Sequence, residues 1–314
     1  MDDFKHYTVM LNEAVDALEC ESGKVYVDCT LGGGGHSELI LKRIQPDGRL
    51  IAFDIDDEAI KHSKERLKNY KNLTIVKSSY TNIKAELKKL GIDKITGGVI
   101  LDLGASYHQL TKAERGFSFS KEAPLDMRFN TDSDFSAYDV VNKYKEEDLV
   151  RIFSEYGEER FSKRIAKKIV EERARKPIKT TTELANLIVN ATPKIKSSIH
   201  PATRVFQAIR IEVNNELKNV NNVLHDILDL LEIGGIISVI SFHSLEDRIV
   251  KKILKFESQK CRCNEMICRC APPRIELVNK KPITASSEEI KENPPSRSAK
   301  LRVARCIFQS VVSE

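Results

Sequence analysis

The stretch Val25-Tyr26-Val27-Asp28-Cys29-Thr30-Leu31-Gly32-Gly33-Gly34-Gly35-His36-Ser37 decides the fold. Val25–Cys29 reads as a short buried strand, and it runs directly into four glycines. His36-Ser37 then open a segment carrying Leu39, Ile40 and Leu41, which reads as a helix. Glycines let the backbone turn sharply and approach a ligand closely, and the first amides of a helix are ready donors, so a small-molecule site is expected at this turn. Working outward, the next apolar run, Leu50–Phe53, ends at Asp54, nineteen residues beyond Gly35. A carboxylate there accepts hydrogen bonds from ribose hydroxyls. A third such run, Val99–Leu103, carries Asp102 at its end. Turn, Asp54 and Asp102 make one cleft for an adenosine-type cofactor at the carboxyl ends of parallel strands.

The dinucleotide fingerprint needs a third glycine where this chain has Ser37, and no Gly-Lys-Ser/Thr follows the turn to make a P-loop. A nicotinamide-dependent oxidoreductase is therefore the weaker reading of the same cleft. Asp56 and Asp57 read as helix N-terminal charges rather than ligands.

Between residues 25 and 110, apolar runs at Val25–Cys29, Leu50–Phe53, Leu73–Val76 and Val99–Leu103 alternate with charged helical segments such as Asp57–Leu67. This is the pattern of a doubly wound α/β sheet. From about 112 to 211 strand-like runs vanish. Phe161, Ile165 and Ile169 recur every four residues among lysines and arginines, so this stretch reads as an inserted helical domain. The α/β signal returns with a helix over Val220–Leu231 and a strand over Ile236–Phe242, and Leu301–Phe308 is expected to add an antiparallel strand at the far end of the sheet. Cys261–Pro295, rich in Cys, Pro, Ser and charge, reads as a long irregular connection. The domains expected are 1–111 with 212–314, and the insertion 112–211.

Hydrophobic residues are 41% and charged residues 31% of 314, the balance of a folded chain. No apolar stretch approaches the length of a membrane span and no leader pattern opens the chain, so a cytoplasmic location without membrane attachment is expected. Net charge is only +5, but nine Lys or Arg stand against two Glu between Arg160 and Lys179, and five against one between Lys291 and Arg305. These clusters suit either solvated faces or a nucleic-acid partner. Cys261, Cys263, Cys268 and Cys270 form two closely spaced pairs that leave open a zinc site or a reduced, Cys-rich loop; no metal is assigned.

Longer motifs decide between these readings. The chain resembles the bacterial 16S ribosomal RNA cytosine-N4 methyltransferases, the RsmH or MraW family, nearly end to end. The resemblance is carried by HYTVMLNE at His6–Glu13, DCTLGGGGHS at Asp28–Ser37, DLGASYHQL at Asp102–Leu110 and RGFSFSKEAPLDMRFN at Arg115–Asn130. It continues with EYGEER at Glu155–Arg160, HPATRVFQAIRIEVNNEL at His200–Leu217, SFHSLEDRIVK at Ser241–Lys251 and NPPSRSAKLR at Asn293–Arg302.

What the resemblance implies is a Rossmann-like domain dependent on S-adenosylmethionine (SAM), and methyl transfer to the N4 amine of cytosine 1402 in the decoding centre of the small subunit. Carried over by position, the SAM contacts are Gly34, Gly35, His36, Asp54, Tyr80, Asp102 and Gln109. Asp102 and His243 are the candidate catalytic residues: one accepts from the amine or serves the cofactor, the other accepts or relays a proton or merely caps a helix. The family usually has Pro at Thr8, and Ser-Ser-Pro-Gln at Ser106-Tyr107-His108-Gln109, which touches the shape of the base pocket. A base must leave its stack to reach the cleft, and the candidates for its phosphates are Arg204, Arg210, Arg248, Arg297, Lys300 and Arg302. A homodimer is left open. The rival readings are a non-catalytic RNA-binding assembly factor and a methyltransferase for another substrate.

Overall fold

The computed structural model describes residues 8–104, 113–193, 200–261, 263 and 271–309. The chain divides into two units, Met1–Gly104 with Leu217–Glu314, and Ala105–Glu216.

In the first unit the apolar runs become β1 (Val25–Asp28), β2 (Arg49–Asp54), β3 (Leu73–Lys77), β4 (Gly98–Asp102) and β5 (Ile236–Ser241). They pair in parallel in the order β3-β2-β1-β4-β5. Parallel strands buried on both faces need apolar side chains throughout, which is why these runs barely alternate. Tyr26, Leu50, Ala52 and Ile100 face a layer with Ala14 and Val15 of α1 (Leu11–Asp16) and Ile40 and Leu41 of α2 (Gly35–Arg43). Val27, Ile51, Phe53, Val99 and Leu101 face the opposite layer, where Ile83 and Leu87 of α4 (Ile83–Lys89) meet α10 (Glu216–Leu230) and α11 (Ser244–Glu257). The helix α3 (Asp57–Arg66) joins β2 to β3, and Asp56 is its N-cap, accepting from Glu58 N.

The chain winds from β1 outward to β3 and then returns to place β4 on the other side of β1. The crevice at such a switch point, beyond the carboxyl ends of the strands, is where ligands bind in this architecture.

Two expectations for the C-terminal part are corrected. β8 (Lys300–Cys306) is antiparallel to β5, but it lies between β5 and β6 (Ile275–Leu277) rather than at the end of the sheet, and β7 (Ile283–Thr284) also pairs with it. The stretch read as irregular therefore supplies two strands and α12 (Ser287–Glu292). Strands of three and two residues are too short to carry a periodic signal, and only β8 makes them strands.

The second unit contains α5 (Ala137–Lys143), α6 (Glu146–Glu155), α7 (Ser162–Arg173), α8 (Thr181–Ala191) and α9 (Ala202–Asn214). Ile165 and Ile169 are buried in its core with Phe153, Ile188 and Ile209, while the lysines between them face outward, as the four-residue spacing requires. A reciprocal cap opens α8, where Glu183 N donates to Thr180 Oγ1 and Thr180 N to Glu183 Oε2. No helix among the described residues is long and apolar enough to cross a membrane.

Candidate active site

Three carboxylates stand at the ends of three adjacent parallel strands. Register places Asp28 opposite Ala52 of β2 and Ile100 of β4, so Asp54 and Asp102 each project two residues beyond it. Asp28 is 1% exposed. Its Oδ2 accepts from Ser37 Oγ at 2.7 Å and its Oδ1 from Thr30 N at 2.9 Å, so it ties the start of the glycine turn to the first helical residues after it. Thr30 Oγ1 in turn accepts from Asp102 N at 2.7 Å, linking the tips of β1 and β4.

Asp54 holds the turn from the other side. Its Oδ2 accepts from Gly32 N at 2.8 Å, and its Oδ1 from Ile55 N and Asp56 N at 2.8 and 2.9 Å. Ser63 Oγ and Arg66 Nη1, on α3, donate to the Gly32 and Gly33 carbonyls. Gly34 has φ +77° and is the N-cap of α2, a conformation that L side chains rarely adopt. Gly35 is needed for a different reason: a Cβ there would lie 1.9 Å from Thr8 Oγ1. Its glycine is thus required by packing against the N-terminal segment, independently of any ligand.

His36 is 4% exposed, and its Nε2 lies 3.1 Å from the Val9 carbonyl, with Nδ1 3.9 Å from Asp102 Oδ2. Its ring anchors the N-terminal segment against the cleft. Tyr80, after β3, is half-buried and packs on the core layer of α4 and α10. Gln109 lies outside the described residues, as do Tyr107 and His108.

The electrostatics distinguish between cofactors. Burial pushes the Asp28 carboxyl up to about 6, against the hydrogen bonds from Ser37 and Thr30, and the Asp54 charge adds to the rise. Asp54 is itself raised by burial, opposed by its backbone donors. Asp102 is raised well above the usual carboxylate range, first by burial and then by the charges of Asp28, Glu246 and Glu289. Asp102 Oδ1 is buried with no hydrogen-bond partner among the described residues. Carboxyls grouped where burial opposes their ionisation, with an orphaned oxygen on Asp102, are favourable to a cationic ligand, which relieves that cost, and unfavourable to the pyrophosphate of a dinucleotide. SAM carries a sulfonium and an ammonium, so the residues present fit it, and the nicotinamide reading is set aside.

Asp28, Glu246 and Glu289 were not singled out from the sequence as site residues. Asp28 had the same signal as Asp54, a carboxylate ending an apolar strand. Glu246 is 1% exposed, and its Oε2 accepts from Phe242 N and His243 N, while His243 Nδ1 accepts from Glu246 N at 3.4 Å. The two residues therefore form a reciprocal cap on α11, in which His243 uses Nδ1. Glu289 Oε1 accepts from Met10 N at 2.8 Å, and nothing local in the sequence marks it.

Two of the candidate phosphate ligands are corrected. Arg302 is 8% exposed and engages Asp247 through both Nε and Nη2, and Arg210 forms a two-pronged pair with Glu216 inside the helical unit. Guanidiniums that pair with buried carboxylates are structural, because leaving would strand the carboxylate. Lys300 shares Asp247 at 3.3 Å, and Arg204 donates to the Glu158 carbonyl while remaining exposed. Arg248 and Arg297 are exposed. Cys261 and Cys263 have sulfurs 3.8 Å apart, whereas Cys268 and Cys270 lie outside the described residues.

Residues 3–307 match the MraW methylase family. The ribosomal RNA small subunit methyltransferase H of Clostridium botulinum (strain Loch Maree / Type A3) is 52% identical over 309 residues, covering 97% of this chain and 100% of the relative. The protein of the same name from Caldicellulosiruptor bescii is 53% identical over 304 residues, 96% of this chain and 99% of the relative. An rRNA methylase structure from Streptococcus thermophilus aligns with a TM-score of 0.43 at 10% identity, covering 95% of this chain and 96% of that one.

Proposed function

The chain belongs to the MraW methylase family, and from this we infer that it is a SAM-dependent methyltransferase of the small-subunit ribosomal RNA that acts on the N4 amine of cytosine 1402. The observation that carries the reaction class is the row of carboxylates Asp54, Asp28 and Asp102 around the glycine turn, an anionic cleft at the switch point of the sheet.

SAM supplies a methyl group already activated on a sulfonium. The work left to the chain is to align the acceptor nitrogen with it and to exclude water. Asp54 would offer the remaining lone pair of Oδ2 to a ribose hydroxyl. The turn through Gly34 and Gly35, the N-terminus of α2 and Tyr80 would hold the rest of the cofactor. Asp102 faces the reacting centre. Cytosine N4 is a weak nucleophile because its lone pair is delocalised into the ring, and the partnerless Oδ1 of Asp102 would accept one of its N–H bonds. A cationic cofactor bound beside Asp102 would favour its ionised form. His243 and Glu246 position the tip of β5. The helical unit is the substrate lobe, and Arg204, Arg248, Arg297 and Lys300 are its and the sheet domain's candidates for RNA phosphates. The enzyme works in the cytoplasm, where small subunits are assembled.

The test is incubation of unmethylated small subunits, and separately of naked 16S RNA, with labelled SAM, followed by mass mapping of RNA fragments. Label on the cytosine amine of the decoding-centre fragment is expected. Label in protein, or nowhere, refutes the reading.

A further inference from the structure

We propose that a lysine-lined groove between α11 and the β6–β8 edge of the sheet holds the RNA backbone flanking the target base. The proposal rests on the RNA reading above. The groove has Leu254, Leu277 and Val303 in its floor, and Lys251, Lys255 and Lys280 on its rim. Leu254 and Val303 are each 1% exposed, so the floor is firm, while the three lysines are exposed. None of the three forms an ion pair among the described residues. Some cations elsewhere in this unit are paired, Lys84 with Asp226 and Asp229, Arg274 with Asp229, Arg305 with Glu19, whereas others such as Lys61, Lys64 and Lys88 are unpaired among the described residues but line no groove with an apolar floor. The guanidinium that reaches the groove, Arg302, is already neutralised by Asp247. The rim thus carries three uncompensated charges and no carboxylate faces them, the complement of a polyanion.

Position selects RNA among polyanions. The helix α11 starts at Ser244, just beyond the tip of β5 in the same crevice as Asp102. At 1.5 Å per residue Lys251 lies about 10 Å along it and Lys255 about 16 Å, a reach of a few nucleotides from a base held in the cleft. Lysines as point charges on an apolar floor bind phosphates without reading sequence, which suits a backbone anchor next to a single specified base.

The experiment is binding of a naked RNA fragment containing the small-subunit decoding region across a salt series, without turnover. It compares wild type, the triple variant Lys251→Ala/Lys255→Ala/Lys280→Ala, and a charge-matched control, Lys61→Ala/Lys64→Ala/Lys88→Ala, in exposed lysines elsewhere. Each phosphate contact contributes about 0.7–0.9 to the slope of log affinity against log salt. The groove variant is expected to lose about two from that slope and the control essentially nothing, with SAM affinity by calorimetry unchanged in both. Equal slopes in the groove variant and wild type overturn the proposal and leave the groove to another anionic partner. An equal loss in the control also overturns it, since net charge alone then accounts for the effect. Because binding is read without methyl transfer, this proposal and the assignment of the reaction fail separately.

Discussion

Replacing Asp28 by Asn separates the cost of a buried charge from the hydrogen bonds that charge accepts. Asp28 sits 1% exposed at the tip of β1, and burial raises its carboxyl to about 6, against 3.8 for the ordinary side chain. The sign follows from linkage. A folded-state pKa above the unfolded one means that the protonated fold is favoured, so this contribution is fully present below about pH 4 and is lost as pH rises through about 6. A difference near two units corresponds to about 3 kcal/mol. Asn keeps the bond from Thr30 N through its Oδ1, and the Ser37 hydroxyl can turn to accept from Nδ2, so the tie between strand and turn survives while ionisation is abolished. Urea unfolding followed by circular dichroism between pH 4 and 8 is the assay. Asp28→Asn is expected to gain on wild type by about 3 kcal/mol between pH 4 and 7, and to hold that gain above it. Asp102 titrates in both proteins, and loss of the Asp28 charge eases its ionisation as well, which adds to the gain in the same direction. A stability difference that stays flat across this range would refute the account of Asp28 as a buried, ionisation-resisting carboxyl.

Three further outcomes follow from the same geometry. Asp54→Ala removes both the ribose acceptor and the anchor of Gly32 N, so calorimetry is expected to find SAM binding at least roughly tenfold weaker, with a stability loss of about 2 kcal/mol in thermal unfolding; unaltered SAM affinity would contradict the ribose role. Gly35→Ala drives a Cβ into Thr8 and should cost about 1–3 kcal/mol, and the double variant with Thr8→Gly should recover most of it; a cycle without coupling would dismiss the packing explanation. Arg302→Ala strands buried Asp247 and is expected to cost about 3 kcal/mol in urea unfolding while leaving the salt slope of RNA binding at the wild-type value; a slope reduced by about one would restore Arg302 as a phosphate contact.

What the sequence determined by itself is whatever is written locally. Apolar runs closed by turn residues marked β1 to β5, because the inner strands of a parallel sheet are buried on both faces and need mostly apolar side chains. The four-residue spacing of Ile165 and Ile169 marked the helical unit, and the glycine turn with Asp54 marked the cofactor's place. Tertiary structure alone decided what depends on distant partners. Asp28, Asp102, Glu246 and Glu289 share one field although more than 250 residues separate the first from the last, and the charge that selects a cationic cofactor exists only once they converge. Gly35 is glycine because Thr8 packs against it. Arg302 was expected to contact phosphate and is buried instead, because β6 and β7, each too short to be seen in the sequence, cover the edge of β8 and Asp247 of α11 meets its guanidinium. Charge and burial are properties of surroundings, and surroundings are made by the fold.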